Sequence, residues 1–287
     1  MVAFFRRRRR ISPRQIRQEQ EYIFGQGQLE ANRLDLQHFM FRWEFEGDYT
    51  APVRNPLAIL DVACGTGRWA REMARRFPNA TVFGFDINQE QINVANLEAT
   101  KRGETLPDNC TFLTGNALQP FDFPDGSFQL VMARANSAYM PIERWPGMLA
   151  EMARVTAPNG WIEVRDFGVV RSESLALTTL TGIFVNLAAR LGIHPGVGPY
   201  IDKYFAALPL RERHIKTLTV RAAPQRATRG GRLMLADYLA LMERVMPLVA
   251  RNGLATEAQW RQLWQQARME TNHCTTEVEL TAAYGRR

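Results

Sequence analysis

Ile59-Leu60-Asp61-Val62-Ala63-Cys64-Gly65-Thr66-Gly67-Arg68-Trp69-Ala70 is the stretch from which the rest of the chain can be read. It starts as a short apolar run of the kind a buried strand shows. One acid sits inside that run, two glycines break it, and helical periodicity follows. Strand, glycine turn and helix together present backbone N–H groups at a helix N-terminus, where a nucleoside-containing ligand can be held by the main chain.

Reading outward, the alternation continues. Leu57–Val62 is predicted as a strand and Arg68–Phe77 as a helix closed by Pro78. Thr81–Asp86 is a second strand, Gln89–Thr100 a second helix and Thr111–Thr114 a third strand. Phe128–Ala133 follows the turn Pro124-Asp125-Gly126 as a fourth strand. Trp145–Val155 is a helix, and Trp161–Phe167 a fifth strand after Pro158-Asn159-Gly160. Strands alternating with helices imply a parallel, doubly wound α/β sheet. Beyond Phe167 the pattern changes to a long apolar helix (Leu175–Leu191), a glycine- and proline-rich loop, a short helix at Tyr200–Ala207 and a strand at Ile215–Ala222. Two helices (Leu233–Asn252 and Glu257–Glu270) and a seventh strand (Val278–Tyr284) complete the chain.

Before the glycine stretch, Pro13 to Met40 reads as helical, divided at Gly25 and Gly27. The organisation expected is therefore a disordered basic arm (1–12), an N-terminal helical lid (13–56), a nucleotide-binding core (57–167) and remaining strands with a helical cap (168–287). The formal charge is +7. Arg6 to Arg10 supply five of those charges, so the basic character is largely that arm, read as a solvated tail. No apolar run approaches the roughly 20 residues that span a bilayer. Met1–Phe5 is too short for a signal-peptide core, and the three cysteines have no metal-like spacing, so a reducing cytoplasm is expected.

Gly65-Thr66-Gly67-Arg68-Trp69-Ala70 fits the dinucleotide fingerprint, with Asp86 at the distance of a ribose-binding acid. Three features turn the reading away from a nicotinamide dinucleotide. Asp61 at the strand end would repel a pyrophosphate but suits a ligand carrying an ammonium group. Thr114-Gly115-Asn116-Ala117 supplies an amide side chain able to read an adenine edge. The C-terminal strand–helices–strand unit is not a second mononucleotide half.

The segment from about Leu57 to Phe167 resembles a class I S-adenosyl-L-methionine (SAM)-dependent methyltransferase. Leu60 to Gly67 is similar to that family's first motif, Val82-Phe83-Gly84-Phe85-Asp86-Ile87 to its second, and Gly115-Asn116-Ala117 to its third. Asn116 stands where the family more often has Asp. Arg154 to Trp161 resembles the hairpin before the fifth strand. Arg33-Leu34-Asp35-Leu36-Gln37-His38, with Trp145-Pro146 and Gly160-Trp161-Ile162-Glu163, is similar to methyltransferases related to the fungal regulator LaeA and to bacterial small-molecule relatives. The resemblance fades after about Phe167.

This resemblance implies a seven-stranded, mostly parallel Rossmann-like methyltransferase fold with SAM as cofactor. Gly65 and Gly67 let the backbone approach the ligand, Asp61 sits near its ammonium group, Asp86 accepts from the ribose diol, Ile87 packs on adenine, and Asn116 with Ala117 reads the adenine edge. Ala63, Thr66, Gln91 and Arg134 complete the core contacts. Arg33 and Gln37 on one face of the lid helix, and Tyr22 closing over the methionine end, are the outer ones. Methyl transfer from a sulfonium is an in-line displacement whose main demand is orientation and exclusion of water. A general base is needed only for a protonated nucleophile. His38, Tyr139, Asp166 and His194 are the candidates, and no metal site is expected.

The cap helices are rich in Leu, Met, Trp and Phe, which suits a small apolar or aromatic acceptor. The alternative expectation is that they only bury one another or form a homodimer face. The arginine arm raises a nucleic-acid methyltransferase as an alternative, but Arg134-Ala135-Asn136-Ser137-Ala138-Tyr139 lacks the Asn-Pro-Pro-Tyr type of motif used on exocyclic base amines. A SAM-binding regulator without turnover is the third reading. The acceptor atom, oxygen, nitrogen or carbon, is left open.

Overall fold

The computed structural model describes residues 28–101 and 106–287. The arginine arm, Tyr22 and the Gly25/Gly27 division lie outside the described residues. Helix α1 (Gln28–Glu44) precedes strand β1 (Ala58–Val62), α2 (Arg68–Arg76), β2 (Thr81–Asp86), α3 (Gln89–Lys101), β3 (Cys110–Thr114) and β4 (Phe128–Arg134). Then come α4 (Trp145–Val155), β5 (Thr156–Phe167), the two-residue β6 (Arg171–Ser172), α5 (Leu175–Arg190), α6 (Ile201–Ala206) and β7 (Arg211–Ala222). Helices α7 (Arg229–Arg244), α8 (Met246–Arg251) and α9 (Glu257–Glu270) lead to β8 (Thr276–Arg286).

The sheet order is β3-β2-β1-β4-β5-β8, with β7 on the far side of β8. Strands β1 to β5 are mutually parallel, and β8 runs antiparallel between β5 and β7. Short β6 pairs with β8 in line with β5, so the sheet is seven strands wide. The order reverses between β1 and β4, the point at which ligands bind beyond the strand ends of open α/β sheets.

Alternation along the buried strands sends side chains to two layers. Leu60 and Val62 of β1 join Val131, Ile162 and Val164 in a core closed by α4 residues Trp145, Met148 and Met152. Ile59, Val82, Leu130 and Met132 face the other side, against Trp69, Ala70 and Met73 of α2. A third cluster lies within the cap, where Leu177, Leu180 and Phe184 of α5 meet Tyr238, Leu241, Met242 and Trp260. A fourth joins Met40 and Phe41 of α1, and Phe45 just past its end, to β7, β8 and Met234 of α7.

Several element boundaries differ from expectation; β5 starts at Thr156, five residues before the expected Trp161, and runs through Pro158-Asn159-Gly160. The helix read as Leu233–Asn252 starts at Arg229, where the Thr228 hydroxyl accepts from the Gly231 N–H, and breaks at Val245. Pro247 in the first turn of α8 explains the break, because it lacks an N–H and crowds the preceding turn. The two glycines early in α7 are close-packing residues: a Cβ on Gly231 would lie 2.0 Å from the Arg221 carbonyl oxygen of β7. Strand β7 begins at Arg211, four residues before the expected start, and its polar, exposed first half gives no alternation to read.

Candidate active site

Beyond the C-terminal ends of β1, β2, β3 and β4 lies a cavity of about 390 Å³. Its floor is the glycine turn. Gly67 has φ +67°, and a Cβ there would sit 2.4 Å from the Phe112 ring. Only glycine meets both conditions, so this position closes the turn against the core and does not line the cavity. Two alanines beside the cavity are also left-handed, Ala63 (φ 54°) after β1 and Ala135 (φ 55°) after β4. Such backbones cost about 1–3 kcal/mol each and cluster where a site requires them.

Asp86 ends β2. Its Oδ2 accepts from the Gly65 N–H and its Oδ1 from the Asn88 N–H, both at 2.9 Å. The carboxylate thus ties the glycine turn to the second strand while lining the cavity. Burial raises its pKa against these hydrogen bonds. Ile87, Gly115, Asn116 and Ala117 continue the wall. Asn116 Oδ1 accepts from the Leu118 N–H at 2.9 Å, which fixes the amide in the turn after β3.

Asp61 lies beneath the turn, 1% exposed and outside the lining set. The Ala70 N–H donates to it, while its Oδ2 has no partner among the described residues. Burial raises its pKa to about 7, with Arg134 lowering and Asp86 raising it further. Arg134, at the end of β4, lines the cavity, stacks over Trp69 at 5.6 Å and also keeps an unpartnered buried Nε.

Helix α1 forms the roof. Leu34, Gln37, His38 and Phe41 all line the cavity, at the three- and four-residue spacing of one helix face. His38 Nε2 is 3.0 Å from Glu72 Oε2, and its Nδ1 is 3.3 Å from Arg134 Nη1. A guanidinium only donates, so Nδ1 is the acceptor and the ring proton sits on Nε2, facing Glu72. Burial lowers the His38 pKa, the Glu72 hydrogen bond opposes it and the Arg134 charge adds to it, so the imidazole is neutral. Burial of Glu72 is outweighed by the His38 hydrogen bond and by Arg42 and Arg68, which hold its pKa at about 2. His38, Glu72 and Asp48 have donor atoms within 4.8 Å of one another. The charge of these carboxylates is met by arginines: Arg42 and Arg68 on Glu72, Arg42 and Arg76 on Asp48.

The remaining expected residues separate into two groups. Ala63, Gly65, Thr66 and Tyr139 line the cavity. Thr66 also donates to Asp35 Oδ1 at 3.2 Å, and the Tyr139 hydroxyl donates to Asn136 Oδ1. Arg33, Gln91, Asp166 and His194 do not line it. Arg33 forks onto Glu30 (2.7 and 2.9 Å) and reaches Asp237 of α7 at 3.0 Å. It joins α1 to α7. Gln91 is 1% exposed in α3, away from the cavity wall. Asp166 is a fully buried loop clamp that accepts from the Asn136, Ser137 and Phe167 N–H groups and from the Ser137 hydroxyl. His194 Nδ1 accepts from the Gly196 N–H within its own loop, with its ring edge-on to Tyr200.

Sequence reasoning missed the apolar end of the cavity. Met140 and Pro141 after β4, Leu191 and Ile193 after α5, and Leu248 of α8 close it from the cap side. Their only sequence signal is general apolarity, because tertiary packing alone brings them together.

The residues present fit the cofactor that the sequence motifs imply. SAM joins a nucleoside to a zwitterionic amino acid. Asp86 and Asn116 stand where a ribose and an adenine edge need an acceptor and an amide. The unpartnered Asp61 Oδ2 and Arg134 Nε are a buried acid and a buried base beside the same turn, the pair an ammonium and a carboxylate require.

Residues 59–160 match the family described as "Methyltransferase domain". The chain is 35% identical over 139 residues to methyltransferase str3 of Strobilurus tenacellus, covering 48% of this chain and 45% of that protein. It is 30% identical over 149 residues to the secondary metabolism regulator LAE1 of Cochliobolus heterostrophus, covering 50% of this chain and 44% of that protein. The matched stretches thus span less than half the length of these relatives. Among solved structures, a geranyl diphosphate methyltransferase in complex with SAM superposes with a TM-score of 0.52 at 17% identity, covering 89% of this chain and 88% of that one. Residues 59–160 thus resemble a methyltransferase domain, and the chain shares the Rossmann-like α/β fold of SAM-dependent methyltransferases.

Proposed function

We propose that this protein transfers the methyl group of SAM to a small acceptor with an apolar or aromatic body. The observation that carries the reading is the cavity itself. One end is polar and cofactor-like, with Asp86, Asn116 and Arg134. The other is walled by Phe41, Met140, Leu191, Ile193 and Leu248. When bound, SAM supplies an activated methyl carbon on a sulfonium, so the protein needs no nucleophile of its own.

The chain's part is positioning and proton management. The glycine turn and Asp86 orient the nucleoside half. Asp61 and Arg134 answer the two charges of the methionine half. The α1 roof and the cap exclude water, which strengthens these contacts and favours a near-attack arrangement. His38 is the neutral imidazole on the wall; its Nδ1 lone pair, held by Arg134 Nη1 at 3.3 Å, would take the proton of an acceptor hydroxyl that displaces this contact. Tyr139 is a second polar group on the same wall. Glu72 accepts the His38 Nε2–H and would stabilise the imidazolium that forms.

The test is transfer of labelled methyl from SAM to a panel of phenols, alcohols, amines and carboxylates of low mass, with product mass spectrometry. A methylated product from an apolar-bodied acceptor is expected. Saturable SAM binding with no product across the panel would instead favour a non-catalytic SAM-binding regulator, and methylation of RNA or DNA alone would favour the nucleic-acid reading.

A further inference from the structure

A second, smaller cavity of about 50 Å³ lies between the cap and the loops that follow β4 and β5. Its apolar wall includes Val170, Phe184, Val185, Met234, Leu241 and Val278. Two features connect it to the main cavity. Gln37 lines both, and Ala138 on its wall is the chain neighbour of Tyr139 on the wall of the main one. Gln37 is the partition, and its Nε2 donates to Asp237 Oδ2 at 3.3 Å. The same Asp237 receives Arg33, so the partition is held by the contact that joins α1 to α7.

The polar groups on this wall are already paired. The Ser137 hydroxyl donates to Asp166 at 2.5 Å, the Tyr238 hydroxyl to Thr181 at 3.0 Å, and Asp237 accepts from Arg33 and Gln37. A wall of satisfied polar groups and exposed carbon offers water little and favours an apolar occupant. On a scale where roughly 150 Å³ takes a benzene ring, this space takes a substituent of roughly two or three carbons.

We propose that the second cavity is an acceptor subsite: it takes a short alkyl substituent of the small molecule whose methyl-accepting atom lies in the main cavity. The proposal rests on the methyl-transfer reading and adds to it a size limit set by Gln37 and the cap.

The test uses the full chain saturated with S-adenosylhomocysteine and titrated calorimetrically with phenol and its 4-methyl, 4-ethyl, 4-propyl and 4-hexyl derivatives. Affinity is expected to rise about fourfold per added carbon up to propyl, the transfer value of a buried methylene, and to rise no further at hexyl. Val185→Phe, which fills the cavity from α5, should leave phenol binding unchanged and abolish the rise. The unmodified chain carries the test alone if that variant does not fold. A flat profile, a rise that continues to hexyl, or no binding by any phenol overturns the subsite. S-adenosylhomocysteine binding and methyl transfer that persist while the alkyl series is flat overturn the subsite alone. A length-dependent series on a chain that methylates no acceptor overturns the transfer reading and, with it, the cavity's role toward an acceptor.

Discussion

Asp61 is the residue whose chemistry is most constrained. It is fully buried, one oxygen is unpartnered, and burial lifts its pKa to about 7. A cation placed beside it favours the charged form and lowers that pKa, so ligand binding below pH 7 must expel the proton. Calorimetry of S-adenosylhomocysteine binding in buffers of different ionisation enthalpy should show release of about 0.9 proton at pH 6 and about 0.1 at pH 8, from a pKa of about 7. Asp61→Asn should remove the difference. His38 runs in the opposite sense. Its pKa lies below 6.5, so it is neutral at physiological pH and becomes charged only in acid. For a hydroxyl acceptor at saturating SAM, kcat/KM should therefore stay level through neutral pH and fall in acid, with a midpoint below that of a free imidazole. His38→Gln should lower kcat roughly 10²–10⁴-fold with little change in SAM affinity. An unchanged kcat would remove His38 from the reaction.

At the scale of elements, the buried polar contacts decide how segments are held. Glu163 of β5 accepts from the Thr50 and Ala51 N–H groups and from Arg165, which in turn donates to the Gly47 carbonyl and the Thr50 hydroxyl. The segment between α1 and β1 is clamped on the sheet by this pair, both residues being fully buried. Glu163→Ala leaves a buried guanidinium without its carboxylate and should cost about 3–5 kcal/mol, measured by denaturant unfolding. The same element scale shows what was legible in the sequence. The glycine turn, the acid at the end of β2 and the strand–helix alternation are local signals legible from spacing. Arg33 and Gln37 were read as one helix face, and they do act together. Their common partner, however, is Asp237, some 200 residues away, and no local pattern carries that contact. Asp166 misled for the same reason: an acid at a strand end can face a ligand or clamp the next loop, and only the fold separates the two.

Over the whole molecule, the strand ends supply the polar lining of the main cavity, and residues after β4 and α5 and on α8 supply its apolar lining. The reversal of strand order between β1 and β4 leaves room above the glycine turn, and β8 lies between β5 and β7 at the far side of the sheet. The polar lining follows from motifs with fixed spacing. The second is assembled from Met140, Leu191, Ile193 and Leu248, which share no pattern.

The central claim is that this turn holds SAM and not a dinucleotide. Isothermal titration of the full chain with S-adenosylhomocysteine, SAM and NAD tests it most directly, with Asp86→Ala alongside. One-site binding of the two sulfur ligands is expected, with no binding of NAD and a loss of about 1.5–3 kcal/mol in the variant, the worth of charge-assisted hydrogen bonds. NAD binding without SAM binding, or an Asp86→Ala variant of unaltered affinity, would contradict the account.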